Sequence, residues 1–104
     1  MLLTDGAARD LDELYAAAYD RGGATRADLF LDRIQNVLTS LGATPGRGRR
    51  LPELQRLGLA DGRQQLDGDL RVLYRMRTDS VLIVAIAPAE RSWQALLQRR
   101  VLDS

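Results

Sequence analysis

The spacing of apolar positions along this 104-residue chain changes period twice, and the changes divide it into elements. Met1–Thr4 is a short stretch suited to a strand. From Asp5, which the pattern places as an N-cap, Ala8, Leu11, Leu14, Tyr15 and Ala18 recur at spacings of mostly three and four, as on one buried helix face. Gly22-Gly23 stops that helix. Thr25 reads as a second N-cap with Asp28 three residues on, and Ala27, Phe30, Leu31, Ile34, Val37, Leu38 and Leu41 form a longer stripe closed by Gly42. So short a connection predicts an antiparallel helical hairpin.

After the hairpin the period shortens. Residues 43–50 are rich in breakers and read as a loop carrying Arg47, Arg49 and Arg50, and Leu51–Gly58 predicts a helical turn with Pro52 at an early position. Gly62–Leu66 is a strand candidate, and Gly68-Asp69 turns the chain into the next. There Leu70, Val72, Tyr74 and Met76 alternate with Arg71, Leu73, Arg75 and Arg77, a period of two that separates an apolar face from one bearing arginines. Past Thr78-Asp79-Ser80, every position from Val81 to Ala87 is apolar, as in a strand covered on both sides. Pro88 ends it, and Glu90–Leu102 predicts a terminal helix with Trp93, Leu96, Leu97 and Val101 on one side. The order β, α, α, β, β, β, α predicts one α+β domain over residues 1–104: an N-terminal strand, an antiparallel helical hairpin, a three-stranded antiparallel meander and a C-terminal helix.

Composition narrows the chemistry. The chain has no His and no Cys, and all 15 basic residues are Arg. That removes an imidazole base, a thiol nucleophile, a Schiff-base lysine and the usual transition-metal ligands. Asp10, Asp12, Glu13 and Asp20 are scattered around one helix, so no metal or cofactor is expected. No run approaches the length of a membrane span, and the first five residues lack a basic leader, so a cytoplasmic protein is expected. Charge is uneven: residues 1–43 hold four Arg against seven acids, and residues 44–104 hold eleven Arg against seven. A surplus of +4 in the second part is too modest to announce nucleic-acid binding, while the arginines of the 70–77 strand suit an anion or a carboxylate-bearing partner chain.

At this point the residues resemble a family. Leu-Thr-Asp-x-Ala-x-x-Asp-Leu at 3–11 before a helical hairpin is similar to the opening of RelE/ParE-superfamily toxins. Leu57–Leu66 resembles the segment entering their second strand, Leu70-Arg71-Val72-Leu73-Tyr74-Arg75 their arginine strand, and Val81–Ala87 the buried strand after it; the loop with Leu51-Pro52-Glu53-Leu54 is closest to the ParE branch. The resemblance implies a toxin of a type II toxin–antitoxin module, of the kind tied to plasmid stabilisation. It would inhibit DNA gyrase and growth by binding, and would be neutralised by a ParD-like antitoxin in a hetero-oligomer. An alternative is a RelE-like ribosome-dependent messenger-RNA endoribonuclease, which would have to rely on Tyr74, Glu90 or Arg91 for proton transfer. A third is a weakly toxic, antitoxin-binding module. The partner-contacting candidates are Arg71, Arg75, Tyr74, Arg63, Trp93, Arg99 and Arg100, and an amphipathic antitoxin segment is expected along hairpin and sheet, its acids meeting Arg71 or Arg75.

Overall fold

Helical geometry runs from Asp5 to Ala43 (α1), 39 residues that would reach about 58 Å if straight. The longest dimension of the molecule is 40 Å. The segment is therefore folded back on itself, and helical geometry fails at Gly22 (φ −154°, ψ 16°) and Gly23 (φ 71°, ψ −163°). Gly23 lies where a side chain would be strained, which is why the bend falls on a glycine pair. Two arms, 5–21 and 24–43, form the predicted hairpin. The computed structural model of the chain describes residues 2–52, 61–78, 80–92 and 94–95.

Four further strands follow a first one, β1 (Leu2–Leu3): β2 (Arg49–Arg50), β3 (Gly62–Asp67), β4 (Leu70–Met76) and β5 (Val81–Pro88). They form one sheet in the order β1-β5-β4-β3-β2, with β1 parallel to β5 and the other pairs antiparallel. The hairpin lies on one face. Ala7, Ile34, Val37 and Leu41 pack there against Leu70, Val72, Tyr74, Val81, Ile83 and Ile86. Ile34 and Leu41 are almost fully buried, each contributing roughly 1.5–3 kcal/mol of transfer free energy.

An irregularity in β5 makes that face continuous. Tyr74 pairs with Ile83 but Leu73 pairs with Ala85, so Val84 is an extra residue. Strict alternation would send Ile86 to the face opposite Ile83; the bulge returns it to the hairpin side. The backbone groups it disturbs are satisfied from the first arm. Thr4 donates its hydroxyl to the Val84 carbonyl at 3.2 Å, and the Ile86 N–H donates to Asp10 Oδ2 at 2.9 Å.

Several boundaries differ from expectation. Thr4, not Asp5, is the N-cap: its hydroxyl accepts from Ala7 N at 3.1 Å, because Thr4 is still extended where Asp5 is helical. Thr25 lies inside the second arm rather than capping it, since only the two glycines leave helical geometry. Gly42 does not close that arm. It ends at Thr44, whose N–H and hydroxyl both donate to Ser40 O. The expected loop at 43–50 contains a 3₁₀ turn, Pro45–Arg47, and then β2, so the sheet has five strands rather than the four expected. Pro52 is helical, while the rest of the predicted turn, 53–60, lies outside the described residues. Residues 89–90 form a turn, and Ser92 caps a helical start by accepting from Ala95 N at 3.2 Å. The remainder of the predicted terminal helix also lies outside the described residues.

Candidate functional site

Strand register assigns each arginine to a face. Leu70, Val72 and Tyr74 face the hairpin, so Arg71, Leu73 and Arg75 project from the other side, with Gln64, Leu66, Leu82, Ala85 and Ala87 across from them. Arg49, paired with Gln64, joins that outer face. Among the described residues this face carries Arg49, Arg71 and Arg75 and no carboxylate. Arg71 is half-buried: one terminal nitrogen donates to Gln64 Oε1, the other to Ala89 O at 2.8 Å, and its buried Nε has no acceptor among the described residues. Arg75 is half-buried with a contact of its own, and Arg77 is exposed beside the turn where its N–H donates to Ser80 O. Leu73, Ala85 and Ala87 are closed to solvent, so the strip is a set of cations held on a dry floor.

Tyr74 occupies a different place from the one expected of a partner contact. It is 1% exposed, on the hairpin side, and its hydroxyl is used twice. It accepts from Gly48 N at 2.9 Å and donates to Pro45 O at 2.7 Å. Burial raises its pKa, opposed by the Gly48 N–H and the charge of Arg63. The alternation of β4 accounts for this placement, since it turns the even positions toward the hairpin. Arg63, also expected at a partner, shares that face and donates to Gly48 O at 3.0 Å and Gly46 O at 3.3 Å. A side chain on Gly48 would come within 2.8 Å of Gln64 O and of the Tyr74 ring. The loop arginines are therefore carried on a clamped backbone.

A second cluster ties hairpin to sheet. Arg33 Nε donates to Asp67 Oδ2 at 3.2 Å, and its terminal nitrogens reach the Asp69 carboxylate and the Asp67 carbonyl. Burial works against the Arg33 charge, but the hydrogen bonds and charges of Asp69 and Asp67 outweigh it and its pKa is raised. The Arg33 hydrogen bond holds the Asp69 carboxyl below its usual value. Beside this cluster, a groove of about 830 Å³ opens between the hairpin bend and the end of the sheet. Leu14, Phe30 and Leu29 (64% exposed) line it, with Arg21 and Arg26 at its rim. Neither rim arginine pairs with a carboxylate among the described residues.

The sequence candidates thus separate. Arg71 and Arg75 share the outer face, Tyr74 and Arg63 clamp the loop from the inner one, and Trp93, Arg99 and Arg100 lie outside the described residues. The rim of the groove carries Arg21 and Arg26, whereas Arg71 and Arg75 point from the opposite face. These two, with Arg33, were missed because on a helix they read as ordinary solvated charges; their clustering needs the bend and the β3–β4 turn. The Asp10 contact was missed because it spans 76 residues.

The family described as "ParE toxin of type II toxin-antitoxin system, parDE" matches residues 1–93. No curated protein matches the chain. Among solved structures, a chain of the "Chromosomal ParDE TA system from P. aeruginosa" is similar, with a TM-score of 0.65 at 22% identity. The match covers 85% of this chain and 95% of that one. At that identity the likeness concerns the fold.

Proposed function

Since this chain belongs to the family of ParE toxins of type II toxin–antitoxin systems, we propose that it acts in the cytoplasm by binding and inhibiting DNA gyrase, without catalysis, and that a ParD-like antitoxin neutralises it. The observation that carries the non-catalytic reading is the placement of Tyr74. Cleavage of RNA by 2′-hydroxyl attack needs a proton acceptor and donor beside the cations that hold the phosphate. The chain has no His or Lys, and Tyr74 is buried between Gly48 and Pro45 on the face away from Arg71 and Arg75. Glu90 and Arg91 lie exposed at the turn after β5. Among the described residues the strand face that carries Arg71 and Arg75 presents no carboxylate and no tyrosine, which suits docking better than phosphodiester chemistry.

For the antitoxin, the groove with an apolar floor and two arginines on its rim that form no carboxylate ion pair among the described residues suits an amphipathic segment bearing acidic side chains. The experiment is expression without antitoxin, scoring gyrase supercoiling against integrity of translated messenger RNA. Blocked supercoiling with intact messenger RNA is expected. Cleaved messenger RNA with normal supercoiling would replace this reading with the ribonuclease one. An adjacent short reading frame with a ribbon-helix-helix-like amino terminus is the expected genomic companion.

A further inference from the structure

The clamp on residues 45–50 holds something that the sequence presented as a loop. β2 is the outermost strand of the sheet, so one of its backbone edges has no strand partner among the described residues. Edges of this kind pair readily with other chains and are usually blunted or covered. Here the edge is two residues long and both are arginines, exposed, one on each face: Arg49 across from Gln64 and Arg50 across from Arg63. Arg50 and Arg63 are like charges directly opposed, an arrangement that is destabilising in isolation. The nearest compensation is Asp61, 3.7 Å from Arg50, an exposed pair of small effect. Among the described residues, Arg50 is thus the one of these three arginines that pairs with a carboxylate.

The backbone beneath them is fixed. The Tyr74 hydroxyl, accepting from Gly48 N and donating to Pro45 O, and two hydrogen bonds from Arg63 hold Pro45, Gly46 and Gly48, and Gly48 admits no larger residue without displacing Gln64 O or the Tyr74 ring. Ordering a loop on binding costs affinity, so a segment ordered beforehand by buried groups is built to bind without that cost. We propose that the β2 edge is a preorganised docking edge for an extended acidic segment of the target protein, with Arg49 and Arg50 meeting consecutive carboxylates. Tyr74 and Arg63 act as positioning residues behind it. An open strand edge offers both N–H and C=O groups. A polypeptide strand can satisfy both in register, whereas a phosphodiester backbone has no donor for the carbonyls, which favours a protein segment over contact with a nucleic-acid backbone.

The inference rests on the reading that gyrase is the target, and the test separates the two. Binding of the full chain to purified gyrase tetramer, with and without DNA, is measured for wild type, Arg49→Glu, Arg49→Ala, Tyr74→Phe and the Arg49→Ala/Tyr74→Phe double variant. Arg49→Glu, exposed and expected to fold normally, weakens binding by about tenfold or more, equally with and without DNA. Tyr74→Phe weakens it by about threefold and speeds amide exchange at Gly48–Arg50, and its effect on binding vanishes in the Arg49→Ala background, which a general loss of stability would not produce. Wild type that does not bind gyrase overturns the target assignment, and this inference with it. Wild type that binds while Arg49→Glu binds equally well overturns the docking edge alone. An Arg49 effect confined to DNA-bound gyrase overturns the protein-segment assignment in favour of phosphate contact.

Discussion

Replacing Asp10 by Ala tests how the fold tolerates its bulge. The carboxylate accepts the Ile86 N–H at 2.9 Å, and Ile86 is 2% exposed. Without it a buried amide faces the helix with no acceptor. A hydrogen bond to a charged group contributes about 1.5–3 kcal/mol, and the half-exposure of Asp10 places this one toward the lower end. Alanine returns about 0.5 kcal/mol, because Asp is the poorer helix former. The expected net loss is about 1–2 kcal/mol. Urea unfolding followed by circular dichroism should show a lower midpoint at unchanged slope, and Ile86 amide exchange should quicken by more than the global change. Asp10→Asn retains an acceptor and should lose about half as much. The control is Asp12→Ala on the same arm, exposed, where only the propensity gain applies and the midpoint should stay or rise slightly. If Asp10→Ala unfolds at the same midpoint as Asp12→Ala, the carboxylate does not support the bulge and the account of β5 is wrong.

Gly48→Ala should cost more than about 2 kcal/mol by urea unfolding, because the clash is with a strand carbonyl and a buried ring rather than a flexible side-chain end; a shift below 1 kcal/mol (about) would show that the clamp yields easily. Gly68→Ala should cost about 1 kcal/mol for its φ of 57°, the Arg33 tip 2.7 Å from the new Cβ being able to move aside. Arg33→Ala should destabilise modestly, since its carboxylate partners are well exposed. Its pH dependence has a defined sign. Asp69 is lowered in the folded state, so its contribution is complete above the unfolded carboxylate range and is lost as pH falls through the folded value. The stability gap between wild type and Arg33→Ala should therefore hold from pH 7 to about pH 5 and narrow below about pH 4. A gap unchanged to the acid limit of folding would sink the ion-pair explanation.

What the residues alone determined is considerable, and it is local in origin. Stripes at spacings of three and four around a glycine pair are enough for a hairpin, because a glycine pair interrupts a helix and each stripe must find cover. Alternation in 70–77 and the unbroken run at 81–87 specify a half-covered and a fully covered strand for the same reason. The family resemblance followed from the order of those elements, and the match over residues 1–93 agrees with it. Arg71 and Arg75 on one face were legible because side-chain direction in a strand has period two.

Tertiary structure decided whatever depends on groups far apart in the chain. One extra residue at Val84 reverses the face of everything beyond it, and its hydrogen-bond partners, the donor Thr4 and the acceptor Asp10, lie about 80 residues away in sequence. The same holds for Tyr74, an even-numbered position legible as core, whose hydroxyl turns a breaker-rich loop into a clamped edge strand once 45–48 fold over it. No pattern of hydrophobicity marks a two-residue arginine strand, since its pairing is supplied wholly by β3 and its rigidity by buried groups beneath it. Periodicity tells which way a side chain points; only the packed fold shows what it meets.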